Sequence, residues 1–245
     1  NQRKGVTLLE ARKLMRERNY FAAMMVNQGD ADAMITGYSR NYASSIKPLF
    51  ETIGMQDGVS RIAATNLMLT KRGPMFLADT TVNIDPTPQQ LEKITQLTSN
   101  VAKLFGIKPI VAMLSFANFG ASKSERAQKM EVAVRRVHES CPDLLVDGPI
   151  QVDFALNAEM LEDKFPFSNL AGKKPNVLIF PNLDAANITY KMIKELNAVE
   201  SVGPILMGLK KPAHILQLGA SVDEMVNMAA VAVVDAQNKS RRKTT

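Results

Sequence analysis

An α/β fold with largely parallel sheets is what this sequence predicts, on three observations. Short apolar runs of strand length alternate with amphipathic stretches of helix length along the chain. Helix-start signals stand where one pattern gives way to the other: capping boxes at Thr7-Leu8-Leu9-Glu10 and Ser221-Val222-Asp223-Glu224, and a proline just after Thr87. Finally, 245 residues with 46% hydrophobic content can bury a sizeable core in one or two domains.

The elements follow in order. After the first capping box, Leu9, Ala11, Leu14 and Met15 recur at helical spacing, which predicts a helix up to Asn19. A second apolar helix over 20–27 ends at Gly29, a residue suited to the left-handed turn that closes helices. Ala33-Met34-Ile35-Thr36, closed by Gly37, reads as a short buried strand. A helix near Ala43 to Ile53 precedes strand-like runs at Arg61 to Leu69 and Met75 to Ala78, and Thr87-Pro88 opens a helix that stops at Gly106. Ile110 to Leu114 is a strand. Ser122 to Glu139 is an amphipathic helix, with Ser122 as candidate cap and Glu131 and Arg135 spaced as an ion pair. Strands over 144–146 and 177–180, a helix from Ala185 to Leu196, and a last helix from the second capping box to about Asn238 complete the pattern. There is no internal repeat and no low-complexity linker.

Composition excludes several classes. No apolar run approaches the ~18 residues of a bilayer span, and Asn1 to Gly5 lack the layout of a signal peptide, so a cytoplasmic protein without a membrane partner is expected. The single Cys141 rules out an intramolecular disulfide and reads as a small buried hydrophobe, while His138 and His214 alone provide no zinc-ligand spacing. The formal net charge of +6 suits an anionic ligand and would equally suit weak attraction to nucleic acid; part of it sits in a polar tail, Lys239, Arg241, Arg242 and Lys243, that reads as a solvated terminus. The fourteen methionines fall mostly on apolar positions and read as core.

Ligands of open α/β sheets bind beyond the carboxyl ends of strands, which directs attention to the loop over 115–123. Its backbone N–H groups, Ser115, Asn118, Phe119, Ser122, Lys123 and the flexible Gly120 suit a phosphate or acyl phosphate; they equally suit an ordinary βα turn capped by Ser122. A second loop, over 37–48, is dense in hydroxyls and cations: Tyr38, Ser39, Arg40, Tyr42, Ser45 and Lys47. It reads either as ligand contact or as a solvated loop capping the next helix. Asn187, Tyr190 and Lys191 lie three and four apart, on one helical face, and read either as ligand contacts or, for Asn187 and Tyr190, as partners of neighbouring backbone groups; Lys210 and Lys211 follow Gly-Leu and read either as phosphate contacts or as a solvated loop.

Gly203 to Val226, GPILMGLKKPAHILQLGASVDEMV, resembles the C-terminal signature of phosphate acetyl- and butyryltransferases. Further matches are Arg3-Lys4-Gly5-Val6-Thr7, Ala22-Ala23-Met24-Met25, Gly29-Asp30-Ala31-Asp32, Ala112-Met113-Leu114-Ser115, Pro142 to Gln151, Ala171-Gly172-Lys173 and Pro181 to Lys191, so the likeness covers nearly the whole chain. It implies two three-layer α/β domains facing across a cleft, with residues 1–61 and 208–245 in one and 62–207 in the other, and a first domain whose start lies upstream of Arg3. It also implies acyl-CoA contacts at the candidates above and at Gln217.

Three positions depart from the signature. Where the family has Ser, Arg and Asp, this sequence has Gln217, Leu218 and Glu224, and Lys47 stands where active transferases carry an Arg before Pro. A second family Arg would fall at Asn1. A hydroxyl and a guanidinium are lost, a carboxylate is moved by one methylene, and a planar two-pronged donor becomes a point charge. Glu224 also has a local role open to it in the capping box with Ser221. No catalytic residue is expected. Gln2 to Thr7 and Ala78 to Thr87 resemble, more specifically, the transferase-like C-terminal domain of bacterial hybrid NADP-dependent malic enzymes. That resemblance implies acetyl-CoA or a related acyl-CoA as effector, a homodimer formed through this region, and NADP with a divalent metal held only by a malic enzyme part outside this sequence. No nucleic-acid partner is expected, and an active phosphate acetyltransferase is the alternative.

Overall fold

Local signals set most helix ends in the structure, a computed structural model that describes residues 3, 5–196 and 199–241. Asn1, Gln2, Lys4, Arg242 and Lys243, which carried expectations above, lie outside the described residues. In chain order the elements are α1 (Leu8–Leu14), α2 (Arg18–Gln28), β1 (Met34–Thr36), α3 (Tyr42–Thr52), β2 (Ala63–Thr70), β3 (Gly73–Ala78), α4 (Pro88–Leu104), β4 (Ile110–Leu114) and α5 (Glu125–Ser140). They continue with β5 (Leu145–Ile150), α6 (Val152–Ala155), α7 (Ala158–Lys164), β6 (Val177–Ile179), α8 (Leu183–Glu195), β7 (Glu200–Met207), β8 (Ala213–Ile215) and α9 (Val222–Arg241). Thr7 and Thr87 form capping boxes with Glu10 and Gln90, and α2 closes on Gly29 at φ 95°.

Three expectations need correction. The first helix, expected up to Asn19, ends at Leu14, and the second, expected from Tyr20, begins at Arg18, because the Glu17 carboxylate accepts the N–H groups of Asn19 and Tyr20 at 3.0 and 3.1 Å and so caps α2. Helix α5 starts later than expected: Ser124 caps it, and Ser122 instead accepts the Ser124 N–H at 3.2 Å. Glu131 and Arg135 form no ion pair among the described residues; Arg136 reaches Glu92 on α4 at 2.8 Å instead.

The chain divides into two compact units, Asn1–Ile62 with Gly203–Thr245, and Ala63–Val202. In the first, β1 and β8 pair in parallel, Met34 opposite Ala213 and Thr36 opposite Ile215, with α2, α3 and α9 packed around them. The strand ends touch so closely at Gly37, φ +105°, that a Cβ there would stand 2.5 Å from the Leu216 carbonyl oxygen.

The second unit is built on five neighbouring strands in the order β5-β4-β6-β3-β2, parallel from β5 to β3 and antiparallel between β3 and β2. Strand alternation gives each face its own core. Phe76 turns to the helix α4 side, where its ring meets Phe105 at 5.9 Å. Met75, Leu77, Ala112, Leu114 and Leu178 turn to the other side and pack with Ala155, Leu161, Ala186 and Tyr190 of α6, α7 and α8.

His214 on β8 is wholly buried. Its Nδ1 accepts the Leu206 N–H at 3.3 Å, so the neutral ring carries its proton on Nε2, which faces the Asp235 carboxylate at 3.7 Å without a hydrogen bond. Lys239 Nζ shares that carboxylate at 3.2 Å. Burial lowers the His214 pKa to about 4 against the pull of Asp235, while Lys239 adds to the lowering. The native ring therefore stays neutral where an unfolded histidine, titrating near ~6.5, has taken a proton. Stability from this residue is complete above about pH 6.5 and falls by about 3 kcal/mol as the pH drops towards 4. Urea midpoints at pH 7.5 and 4.5 should fall further for the wild type than for His214→Gln; equal falls would assign the acid sensitivity to other groups.

Candidate functional site

The loops after β3, β4 and β6 share the carboxyl edge of three adjacent parallel strands of the second unit. The first is wound around Asp79, which is 3% exposed. One carboxylate oxygen accepts the N–H groups of Ala64, Thr81 and Val82 at 3.2, 2.9 and 3.0 Å; the other accepts the Asn83 N–H at 3.0 Å and the Asn83 side-chain amide. Burial pushes the carboxyl up from the ordinary aspartate range, and the donors pull it back. The loop so formed presents the Thr80 carbonyl, which accepts Asn187 Nδ2 of α8 at 3.0 Å.

The loop after β4 is held from below. The Ser115 and Phe119 N–H groups donate to the carbonyls of Ile150 and Pro149 at 2.9 and 2.8 Å. Asn118 and Gln151 exchange two hydrogen bonds, Asn118 Nδ2 to Gln151 Oε1 at 2.9 Å and the Gln151 N–H to Asn118 Oδ1 at 2.7 Å. Phe119, at φ 36°, turns its ring to those of Phe165 and Phe167 at 5.1 and 5.2 Å. Gly148 makes the approach beneath this loop possible, since a Cβ there would meet the Met113 carbonyl oxygen at 2.4 Å.

A cavity of about 670 Å³ opens at this edge, lined among others by Ser115, Phe116, Arg126, Lys129, Asn182 and Asp184. Lys129 is committed to Asp85 at 2.5 Å and to the Pro181 carbonyl at 2.9 Å, and so ties two of the loops together. Arg126, in the first turn of α5, keeps its guanidinium without a side-chain partner among the described residues. A hydroxyl, a free guanidinium and the start of a helix are the donor set for an anion. Carboxylates at Asp85, Glu125 and Asp184 line the same cavity and limit how much negative charge it accepts. Among the described residues, no three His, Cys, Asp or Glu side chains are grouped as metal ligands.

Of the residues singled out in the sequence, Ser115 lines this cavity. Lys123 and Lys191 are exposed, Asn187 is half-buried on Thr80, and Asn118 is spent on Gln151. Tyr190, 1% exposed, belongs to the core beneath α8, which corrects its expected place on a ligand-facing helix surface. Arg126 and Lys129 escaped notice because they read as the solvent face of an amphipathic helix.

The remaining candidates lie in the first unit. Tyr38 and Ser39 are exposed, Arg40 is paired with the Glu17 carboxylate, and Tyr42 opens α3 behind its cap Asn41. Ser45 is fully buried and donates to the Asn41 carbonyl at 3.2 Å, so it serves the helix and faces no ligand. Lys47 stands 3.8 Å from Glu51, which also accepts the Tyr20 hydroxyl; burial, then Glu51, raise that phenol to about 12. Lys210 pairs with Asp57 at 3.3 Å, and Gln217 lies half-buried after β8. Leu218 is 74% exposed, and Glu224 accepts the Ser221 N–H at 2.7 Å in the expected capping box.

Two α/β units, one of them with loops gathered at the carboxyl ends of adjacent parallel strands, define an α/β class of protein of the kind that binds ligands beyond its strand ends. The chain belongs to the phosphate acetyl/butaryl transferase family, whose model matches residues 1–233. It is 42% identical over 238 residues to the NADP-dependent malic enzyme of Salmonella typhimurium, covering 96% of this chain but 31% of that protein. It is 36% identical over 236 residues to the phosphate acetyltransferase of Bacillus subtilis, covering 96% of this chain and 73% of that enzyme. A phosphotransacetylase from Streptococcus pyogenes superposes with a TM-score of 0.89 at 36% identity, over 98% of this chain and 72% of that one. The chain thus spans about a third of the malic enzymes it matches, and from about a third of the phosphate acetyltransferase of Nitratidesulfovibrio vulgaris to nearly three quarters of that of Bacillus subtilis. No helix among the described residues is long and apolar enough to cross a membrane.

Because Asp79 accepts from both β2 and its own loop, Asp79→Asn, which turns a donor towards buried N–H groups, should cost about 2–4 kcal/mol in urea denaturation. A loss below about 1 kcal/mol would show that the loop holds without it.

Proposed function

We propose that this chain is a regulatory acetyl-CoA-binding and oligomerisation domain of a cytoplasmic NADP-dependent malic enzyme, without transferase activity of its own. The oxidative decarboxylation of malate to pyruvate, with NADP and a divalent metal, falls to the rest of such an enzyme. The observation that carries this reading is the replacement of the family's Ser, Arg and Asp by Gln217, Leu218 and Glu224. Acyl transfer from coenzyme A needs a base for the thiol proton and donors for the oxyanion and phosphate. Leu218 supplies no donor, and the Glu224 carboxylate is engaged with the Ser221 backbone. Binding makes smaller demands: the Ser115 and Arg126 cavity, Asn187 and Lys191 can hold phosphates and amides of an acyl-CoA without moving a proton. A regulatory effect further requires acetyl-CoA to favour one state of a homodimer, with ~1–3 kcal/mol as a usual size.

A working phosphate acetyltransferase is the second reading, favoured by the coverage of 73% of the Bacillus subtilis enzyme at 36% identity. Calorimetric titration of acetyl-CoA in phosphate buffer, with free thiol assayed at the end, separates the two. A saturable heat without thiol is the expected result; continuing heat with thiol release would establish the transferase. Arg126→Ala and Lys191→Ala should each weaken binding about tenfold, the worth of one charge-assisted contact. No heat at all, in this chain and in the full-length protein, would leave the domain a purely structural role.

A further inference from the structure

The opposite edge of the second unit's sheet carries a different chemistry. At the amino ends of β3, β4 and β6 lies a depression of about 910 Å³. Lys71, Arg72, Lys173 and Lys174 surround it, and Glu159 is the one carboxylate among its described lining residues. The β2–β3 turn supplies the first pair and the segment leading into β6 the second. All four cations are exposed, and none makes an ion pair among the described residues; the Arg72 guanidinium donates to the Leu156 carbonyl, which pins it over the sheet edge. Four like charges around one hollow repel each other, and an anion placed among them relieves that repulsion.

An apolar slot of about 330 Å³ adjoins the depression, and Lys71, Arg72, Met75 and Leu156 line both. Strand alternation makes the slot: Met68 lies opposite Met75, Leu77 opposite Leu178, and these side chains share the face that α8 covers with Ile193. Thr189, a small residue on α8, leaves the gap open. A hollow whose walls are mostly apolar and whose mouth is cationic matches a ligand with one apolar end and one negative end. The long lysine and arginine stems add apolar surface towards the slot while their charged heads stay in water.

We propose that the joined depression and slot form a binding site for a single-chain anionic amphiphile, an acyl or alkyl chain bearing a carboxylate or phosphate. The chain occupies the slot between the sheet and α8, and the head group is held by Lys71, Lys173 and Lys174. The cationic depression that holds the head group lies at the opposite strand ends from the Ser115 and Arg126 cavity and shares no lining residue with it, whereas the slot runs along the sheet face as far as Val152 and Phe180, which line that cavity too. The site would let the protein sense a second, more hydrophobic carboxylate or phosphate.

Decyl phosphate, kept below its micelle concentration, is the probe, with decanol and inorganic phosphate as the chain and head alone. Titration calorimetry should show one saturable site for decyl phosphate and affinities at least about tenfold weaker for both fragments. The exposed double substitution Lys173→Glu, Lys174→Glu should weaken decyl phosphate at least about tenfold and leave the acetyl-CoA titration of the wild type unchanged. Thr189→Phe, which fills the slot, should weaken it as much without altering the cations. Decanol or inorganic phosphate binding as tightly as decyl phosphate would overturn the proposal, as would an affinity unmoved by both variants. Co-sedimentation with phosphatidylglycerol vesicles, in place of a saturable soluble complex, would make this a membrane-contact face and overturn it equally.

Discussion

The carboxyl edge of the second unit depends on one buried carboxylate. Asp79 stands at the end of β3, in the middle of the sheet, and takes donors from Ala64 on β2 and from three successive residues of its own loop. A buried charge is tolerated only where its lone pairs are satisfied, and here four backbone N–H groups and one amide do so. The result is a loop of fixed shape whose Thr80 carbonyl meets Asn187 and whose Thr80 hydroxyl donates to Asn66 at 2.7 Å. Strand β2, the β3 loop and helix α8 are thereby locked to one another through a single side chain. The lining of the cavity, from Asp85 to Asp184, rests on that frame, with Lys129 bridging the same two loops from α5.

How much of this was legible follows from the range of the interactions involved. Capping is local, so Thr7, Thr87, Ser221 and Gly29 announced their helix ends correctly. Glu17 did not, because glutamate is a good helix former and only the observed hydrogen bonds show it starting a new helix. Strands β7 and β8 were hidden by Gly203-Pro204 and Pro212, which punctuate the sequence like turns. The helical face assigned to Asn187, Tyr190 and Lys191 was too generous. At about 100° per residue, Asn187 and Lys191 lie about 40° apart, but Tyr190 lies about 60° to the far side and enters the core. Arg126 and Lys129 could not be separated from an ordinary polar face, since what distinguishes them is the cavity that the β3 and β6 loops bring to that helix.

Charge is distributed over the second unit in a way composition cannot express. At the carboxyl edge the cations are mixed with Asp85, Glu125 and Asp184, and Lys129 is already paired. At the amino edge Lys71, Arg72, Lys173 and Lys174 share the depression with Glu159, the one carboxylate among its described lining residues. A net charge of +6 is compatible with either edge dominating. The difference arises because the antiparallel β2–β3 turn and the loop before β6 end at the same sheet edge, a consequence of strand order.

The same asymmetry of demand separates binding from catalysis in this fold. Affinity for a multiply charged ligand is a sum over several contacts, so losing one leaves most of it in place. Rate depends on a few atoms placed to within about 1 Å, and displacement on that scale can cost ~10²-fold. On the reading proposed above, the changes in this chain fall on the second kind of group: Leu218 projects an exposed aliphatic side chain, and Glu224 accepts from the Ser221 backbone at the head of α9. The strand-end loops of the second unit are held by the buried carboxylate of Asp79 and by the Asn118–Gln151 exchange. On the proposed reading, the bonds that shape the strand-end loops persist while the positions of the family's reactive groups have changed, so a pocket can outlast the chemistry it once served.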